Sequence, residues 1–267
     1  MSFSKAYDLN PETRLNVMFS GTQGQTIIFL HFWGGSSRTF LPMISHLSTH
    51  FRCIAVDFRG WGASSSPHRT DAYSMRDLAM DIEALIEKLE LKDYVLIGHS
   101  MGGKVAQLVA GRGLALGLRA LVLIGPAPPT PLELPPDMRS VQLSAYSSRQ
   151  SAEFVVKNVL SSSALSDENV TDLVDDMMKG SEFAKQAWPS YGMTEDILAE
   201  VRRIKLAVLV VAGELDRVEP VERLRTKIVG NIPTAKLVIV EGSGHLIPLE
   251  APFEVVRYVK EFLDKIL

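Results

Sequence analysis

The stretch YVLIGHSMGGKVAQLVAGR, residues 94–112, changes its periodicity in the middle. Residues 94–98 are a short, almost continuously apolar run, as a strand covered on both faces requires. From Lys104 to Arg112 the apolar positions recur at helical spacing. The turn that joins the two reads Gly98-His99-Ser100-Met101-Gly102, a G-x-S-x-G string. A strand that enters a helix so abruptly holds one residue in a strained conformation and leaves its side chain at the sheet's edge. The small neighbours Gly98, Gly102 and Gly103 let the backbone pack closely there. Ser100 is therefore a candidate nucleophile, and the Met101 N–H beside it is a candidate donor to an oxyanion.

The alternation of short apolar runs with longer helical segments continues on both sides, which is the pattern of a mostly parallel, doubly wound α/β sheet. Residues 26–32 (TIIFLHF), 51–58 (FRCIAVDF), 118–124 (LRALVLI), 206–212 (LAVLVVA) and 236–240 (KLVIV) join 94–98 as six expected strands. Between and after them, residues 75–90 place Leu78, Ile82, Leu85, Ile86 and Leu89 on one stripe. Residues 252–266 do the same with Val255, Val259 and Phe262. The rhythm lapses after Ile124. GPAPPTPLELPP, residues 125–136, holds too much proline for a helix or a central strand, and about 70 residues of helix-like pattern follow it without a strand. Helices are expected at 151–160, 168–179 and 195–204, with Trp188-Pro189-Ser190-Tyr191-Gly192 as a break. A length of 267 residues suits one large domain with an insertion. The expected organisation is a core of residues 1–126 and 204–267, with residues 127–203 as a helical cap.

A serine hydroxyl is a weak nucleophile at neutral pH, so Ser100 needs a positioned base, and histidine has the right affinity for a proton. His46, His50 and His68 lie in polar surroundings, and His99 adjoins Ser100 but points away from it. His245 follows the last expected strand in Gly242-Ser243-Gly244-His245, at the same carboxyl edge of the sheet as Ser100. The base in turn needs an acid to hold its tautomer. Asp216 stands after residues 206–212 in Gly213-Glu214-Leu215-Asp216, with Glu214 and Glu219 as local rivals, while the segment after 118–124 offers no carboxylate.

The order Ser100, Asp216, His245 and the motifs LHFWGGS, DFRGWGAS, GHSMGG, GELDRVEP and GSGHLIPLEAP resemble the α/β-hydrolase superfamily along nearly the whole chain outside the insertion. Within it the chain looks most like small bacterial-type esterases and cofactor-free haloperoxidase relatives. The resemblance implies a catalytic triad of Ser100, His245 and Asp216 and a cap inserted after the sixth strand of the family's eight. It also implies an oxyanion hole built from the backbone N–H groups of Met101 and Trp33. The family commonly reads His-Gly-aromatic where this chain reads His31-Phe32-Trp33, so Phe32 is a departure. The implied activity is serine-dependent cleavage of a carboxylic ester or lactone in a small, largely apolar substrate. C–C bond hydrolysis or lysis on the same triad and a receptor-like ligand-binding role are the alternatives. Carbon–halogen and epoxide hydrolysis use an aspartate nucleophile in this superfamily, and Ser100 stands in that position here. Phe32, Trp188, Tyr191, Met193 and Leu246 are candidate lining of the substrate pocket.

Composition narrows the field further. Lys and Arg number 28 against 31 Asp and Glu, a net charge of −3 without a basic stretch, so nucleic acid is not an expected partner. One cysteine, Cys53, excludes an intrachain disulfide framework and a cysteine-built zinc site. No metal and no cofactor are expected. MSFSKAYDLN lacks the apolar core of a secretory signal, and no run approaches the roughly 18 apolar residues of a membrane span. A cytoplasmic protein acting on a small molecule, with no membrane partner, is the expectation.

Overall fold

A computed structural model describes residues 2–65 and 67–266. Eight strands form one sheet in the order β1-β2-β4-β3-β5-β6-β7-β8. They are β1 (Phe3–Asn10), β2 (Thr13–Ser20), β3 (Thr26–Leu30), β4 (Arg52–Val56), β5 (Tyr94–His99), β6 (Leu118–Ile124), β7 (Ala207–Gly213) and β8 (Ala235–Val240). β1 and β2 pair antiparallel, β2 meets β4 antiparallel, and every pairing from β4 to β8 is parallel. The sheet thus has two strands more than the six expected. β1 and β2 alternate polar and apolar residues and β1 is largely exposed at the sheet's edge, so they lack the continuous apolar run of a strand buried on both faces.

The helices are α1 (Leu41–Leu47), α2 (Met75–Lys88), α3 (Met101–Arg112), α4 (Pro136–Leu143), α5 (Arg149–Val155), α6 (Asp167–Lys179), α7 (Glu182–Ser190), α8 (Leu198–Val201), α9 (Val221–Lys227), α10 (Ile247–Glu250) and α11 (Pro252–Leu263). Successive strand residues point to opposite faces. Ile28 and Leu30 of β3 accordingly join Leu78 and Ile82 of α2 and Val105 of α3 in one core, while Ile27 and Phe29 join Met43 of α1 and Val259 of α11 in the other. α3 is buried along almost its whole length, so the turn into it is held between the sheet and its covering layer. Among the described residues, no helix is long and apolar enough to cross a membrane.

Residues 125–206 contain α4 to α8 and no strand. α7 runs through Trp188 and Pro189 to Ser190, so the break begins only at Tyr191, three residues after the start of the expected stretch. Pro189 lies in the last turn, where its missing N–H leaves a single carbonyl, that of Lys185, without a helical donor. Of the expected helix at 195–204 only Leu198–Val201 is helical, and a π-turn, Val156–Leu160, directly continues α5.

The loop after β4 is pinned from inside. Arg59 Nε and Nη2 donate to the Asp81 carboxylate of α2 at 2.6 and 2.5 Å, and Nη1 donates to Ala72 O at 2.8 Å. Both side chains are buried, so removing one charge strands the other. Asp81→Asn is expected to cost about 3–5 kcal/mol of stability in urea unfolding. A loss below about 1 kcal/mol would mean that the pair is not an uncompensated-charge trap.

Candidate active site

In a parallel sheet the carboxyl ends of the strands share one edge, and ligands bind at that edge. Here it gathers the loops after β3, β5, β7 and β8. Ser100 holds φ +54° and ψ −115°, a conformation that side-chain-bearing residues avoid. Its N–H donates to Ile124 O of β6 at 3.0 Å, and its carbonyl accepts the N–H groups of Lys104 and Ala127 at 3.1 and 3.0 Å. α3 reaches the turn only because Gly102 has no side chain: a Cβ there would lie 2.2 Å from Leu30 O of β3. Met101 is the first residue of α3, so its N–H lies outside the helical ladder.

The expected acid and base, Asp216 and His245, lie in the loops that follow the neighbouring strands β7 and β8. His245 Nδ1 donates to Asp216 Oδ2 at 2.8 Å, with both side chains buried. The other Asp216 oxygen accepts the backbone N–H groups of Val218 and Glu219 at 2.8 and 2.9 Å. Burial works against the Asp216 charge, but the His245 ring and these two amides outweigh it and hold the carboxyl below its usual range. Burial likewise works against a charged His245, and the Asp216 carboxylate outweighs it, so the imidazole binds a proton more tightly than usual. With Nδ1–H committed to Asp216, Nε2 is left as the acceptor. The pair packs on the end of β6, where a Cβ at Gly125 would meet Asp216 Oδ2 at 3.2 Å and His245 Nδ1 at 3.4 Å. Of the rival acids, Glu214 is exposed and accepts the Gly242 N–H at 2.9 Å. Glu219 is buried, which pushes its carboxyl up to about 7, and it faces Arg223 at 3.1 Å.

Two further histidines brace the edge. His99 Nε2 donates to His245 O at 2.8 Å, and burial, reinforced by the neighbouring His245, pushes the ring's pKa down to about 3. His31 donates from Nδ1 to Phe32 O at 2.7 Å and accepts the Phe58 N–H at Nε2 at 3.1 Å, so it is neutral with a fixed tautomer. Position in the motifs singled out neither, because the sequence shows only which strand end they occupy and not which backbone they meet.

The loop after β3 is held by the segment inserted after β6. Trp33 Nε1 donates to Lys185 O at 3.1 Å, the carbonyl that Pro189 leaves free. Tyr146 donates its hydroxyl to Trp33 O at 2.8 Å, and its ring lies 4.2 Å from the Trp33 ring. Nothing in the pattern around Tyr146 marks this role. Phe32 is buried with its ring 5.2 Å from that of His99. Leu246, Met193 and Trp188 are buried, and the Met193 carbonyl accepts from Lys104 Nζ at 3.2 Å. Tyr191 is half-buried against the same core. Its hydroxyl donates to Thr70 O at 2.7 Å, and it lines an outer cavity of about 430 Å³ with Phe183 and Ser74. Another cavity, of about 530 Å³, is lined by Ser163, Ser243 and Glu250 among others, and neither lining includes Ser100. Ser100 itself is only 8% exposed. Among the described residues no group of three or more His, Cys, Asp or Glu side chains is placed to hold a metal ion.

The family model described as "Alpha/beta hydrolase family" matches residues 27–258. The chain belongs to the alpha/beta hydrolase family. It is similar to a non-heme chloroperoxidase from Kitasatospora aureofaciens, at 25% identity over 257 residues that cover 91% of this chain and 92% of that one. Among solved structures it resembles a bromoperoxidase from Bacillus anthracis with a TM-score of 0.90 and 19% identity, covering 98% of this chain and all (100%) of the other. An esterase from Exiguobacterium antarcticum superposes with a TM-score of 0.86 at 23% identity, covering 94% and 96% of the two chains. In this family member the two buried rings differ in what they hold. His245 should take up its proton above the ordinary 6.5 and His99 should remain neutral down to about pH 4, as read by ring-nitrogen NMR. Protonation of His99 near 6.5 would contradict its burial as a neutral donor.

Proposed function

We propose that this hydrolase cleaves the carboxylic ester or lactone bond of a small, largely apolar substrate through an acyl-enzyme on Ser100. The observation that carries the reading is the His245–Asp216 pair, 2.8 Å apart on the sheet edge where Ser100 is held in its strained turn. Ser100 Oγ attacks the substrate carbonyl as His245 Nε2 takes the hydroxyl proton. Asp216 stays ionised and stabilises the imidazolium. The oxyanion accepts from the N–H groups of Met101 and Trp33, each such donor being worth about 2.7–4 kcal/mol in measured cases. Collapse breaks the bond to the leaving oxygen, which takes its proton from His245. A water molecule then gives its proton to His245, attacks the acyl carbon, and Ser100 leaves with that proton.

Residues 127–203 are assigned as the cap and residues 1–126 and 204–267 as the core. Support comes from the absence of strands among the described residues between β6 and β7 and from this segment's hydrogen bonds to Trp33 in the loop after β3. A covering segment of this kind excludes water and shapes the pocket. Trp188, Met193, Phe32 and Leu246 remain candidate lining, and Tyr191 anchors the segment to the loop at Thr70.

Kinetics with p-nitrophenyl esters of graded chain length and with lactones tests the assignment. Asp216→Asn is expected to lower kcat by about 10²–10⁴-fold while the fold persists, and Glu214→Gln far less. Because the base acts as the neutral ring, kcat/KM should fall as pH drops through the raised His245 pKa, so the acid limb lies above 6.5. Equal losses in the two variants, or a larger loss in Glu214→Gln, would overturn the choice of acid.

A further inference from the structure

The end of GSGHLIPLEAP carries a glutamate that the proposed chemistry does not use. Glu250, the last residue of α10, gathers five donors on one carboxylate. Its Oε1 accepts the Ser162 and Ser163 N–H groups at 2.7 and 2.8 Å and the Ser163 hydroxyl at 3.1 Å. Its Oε2 accepts the Gly244 N–H at 2.9 Å and the Ser243 hydroxyl at 3.4 Å. Residues 162 and 163 belong to the segment inserted after β6, whereas residues 243 and 244 lead directly into His245.

The two segments meet a second time at Leu160. The last carbonyls of a helix have no helical donor. Leu160 ends the π-turn, and its carbonyl accepts the N–H groups of both His245 and Leu246, at 2.8 and 3.2 Å. A π-turn costs helical hydrogen bonding and persists where it serves a contact. The approach is tight, since a Cβ at Gly244 would lie 2.7 Å from Ser162 N. Ser162 Oγ also donates to Leu215 O at 3.1 Å, next to Asp216. Residues 160–163 therefore span the loops that carry the base and the acid.

We propose that Glu250 is a positioning residue for His245, its carboxylate tying residues 162–163 of the insertion to residues 243–244 and so fixing the loop that carries the base. Charged hydrogen bonds of this type are the stronger ones, and donors left without their acceptor are costly. A glutamine of the same size turns its NH2 toward backbone N–H groups, that of Gly244 on one side or those of Ser162 and Ser163 on the other, which cannot accept from it. The inference rests on the reading of His245 as base. Around that ring stand Asp216 and Glu219 from the β7 loop with Arg223 of α9, neutral His99 from β5 and Glu250 from α10. Asp216, Glu219 and Glu250 all favour its protonated form, so loss of the Glu250 charge lowers its proton affinity.

The test is the rate at which a fluorophosphonate labels Ser100, measured across pH by intact-protein and peptide mass. Glu250→Gln is expected to label more slowly by on the order of tenfold to a hundredfold, the scale of a small misplacement, with the midpoint of the pH profile moved down. Glu250→Asp, which keeps the charge at shorter reach, is expected to fall between, with its midpoint near the wild type. Labelling of Glu250→Gln at the wild-type rate would overturn the proposal. Equal slowing of both variants with unmoved midpoints would do so too, because a merely structural role gives that result. If Glu250→Gln does not fold, slowed labelling of Glu250→Asp supports the proposal and wild-type labelling contradicts it. Failure of the wild-type protein to label at Ser100 instead removes the triad reading itself.

Discussion

A positive φ of +54° at Ser100 is the constraint around which the site is arranged. Such a conformation costs of order 1–3 kcal/mol and persists only where the surroundings over-determine it. Here β6 supplies an acceptor for the Ser100 N–H, Lys104 and Ala127 supply donors for its carbonyl, and Gly102 admits α3 to within contact of β3. One turn therefore sets where the Ser100 side chain stands and how near the β3 loop lies. The burial of α3 on nearly every side makes that arrangement rigid, because neither the strand nor the helix can shift alone.

The remaining edge is a set of polar groups taken out of water with their partners. Asp57 accepts Ser37 N–H at 2.7 Å, Ala63 N–H at 3.0 Å and Asn16 Nδ2 at 2.9 Å, which fixes the segment that follows Trp33. Ser36 donates to Asp176 of α6 at 2.6 Å, and Arg38 meets the same carboxylate at 2.6 Å. Together with Lys185 O on Trp33 and Leu160 O on His245, these contacts make the inserted segment a support of both the loop after β3 and the loop that carries His245. Buried polar networks of this sort act as a unit, so removing one member exposes its neighbours' unmet hydrogen bonds.

Legibility in the sequence followed burial. Strands β3 to β8 announce themselves as apolar runs because most are covered on both faces, and the helices α2 and α11 carry clean stripes. β1 is largely exposed and β2 sets the polar Thr13, Arg14 and Asn16 among its apolar residues, so neither forms a continuous apolar run. Ser100, Asp216 and His245 are visible because each follows a strand of the same parallel sheet, and topology then brings the three loops to one edge. Contacts across the insertion are not visible in this way. The acceptors are backbone carbonyls, Lys185 O and Leu160 O, which every residue possesses, and they are free only because of Pro189 and the end of a π-turn. Tyr191 and Trp188 are near neighbours in sequence, yet the turn between them sends one hydroxyl outward to Thr70 and leaves the other ring in the core.

Acyl transfer to Ser100 is the central claim, and trapping the intermediate tests it most directly. Acid quenching during turnover of p-nitrophenyl acetate, followed by peptide mass analysis, should find one acetyl group on the peptide that contains Ser100, and Ser100→Ala should lose both the adduct and turnover. An acetyl group on another residue, or turnover at the wild-type rate in Ser100→Ala, would contradict the account.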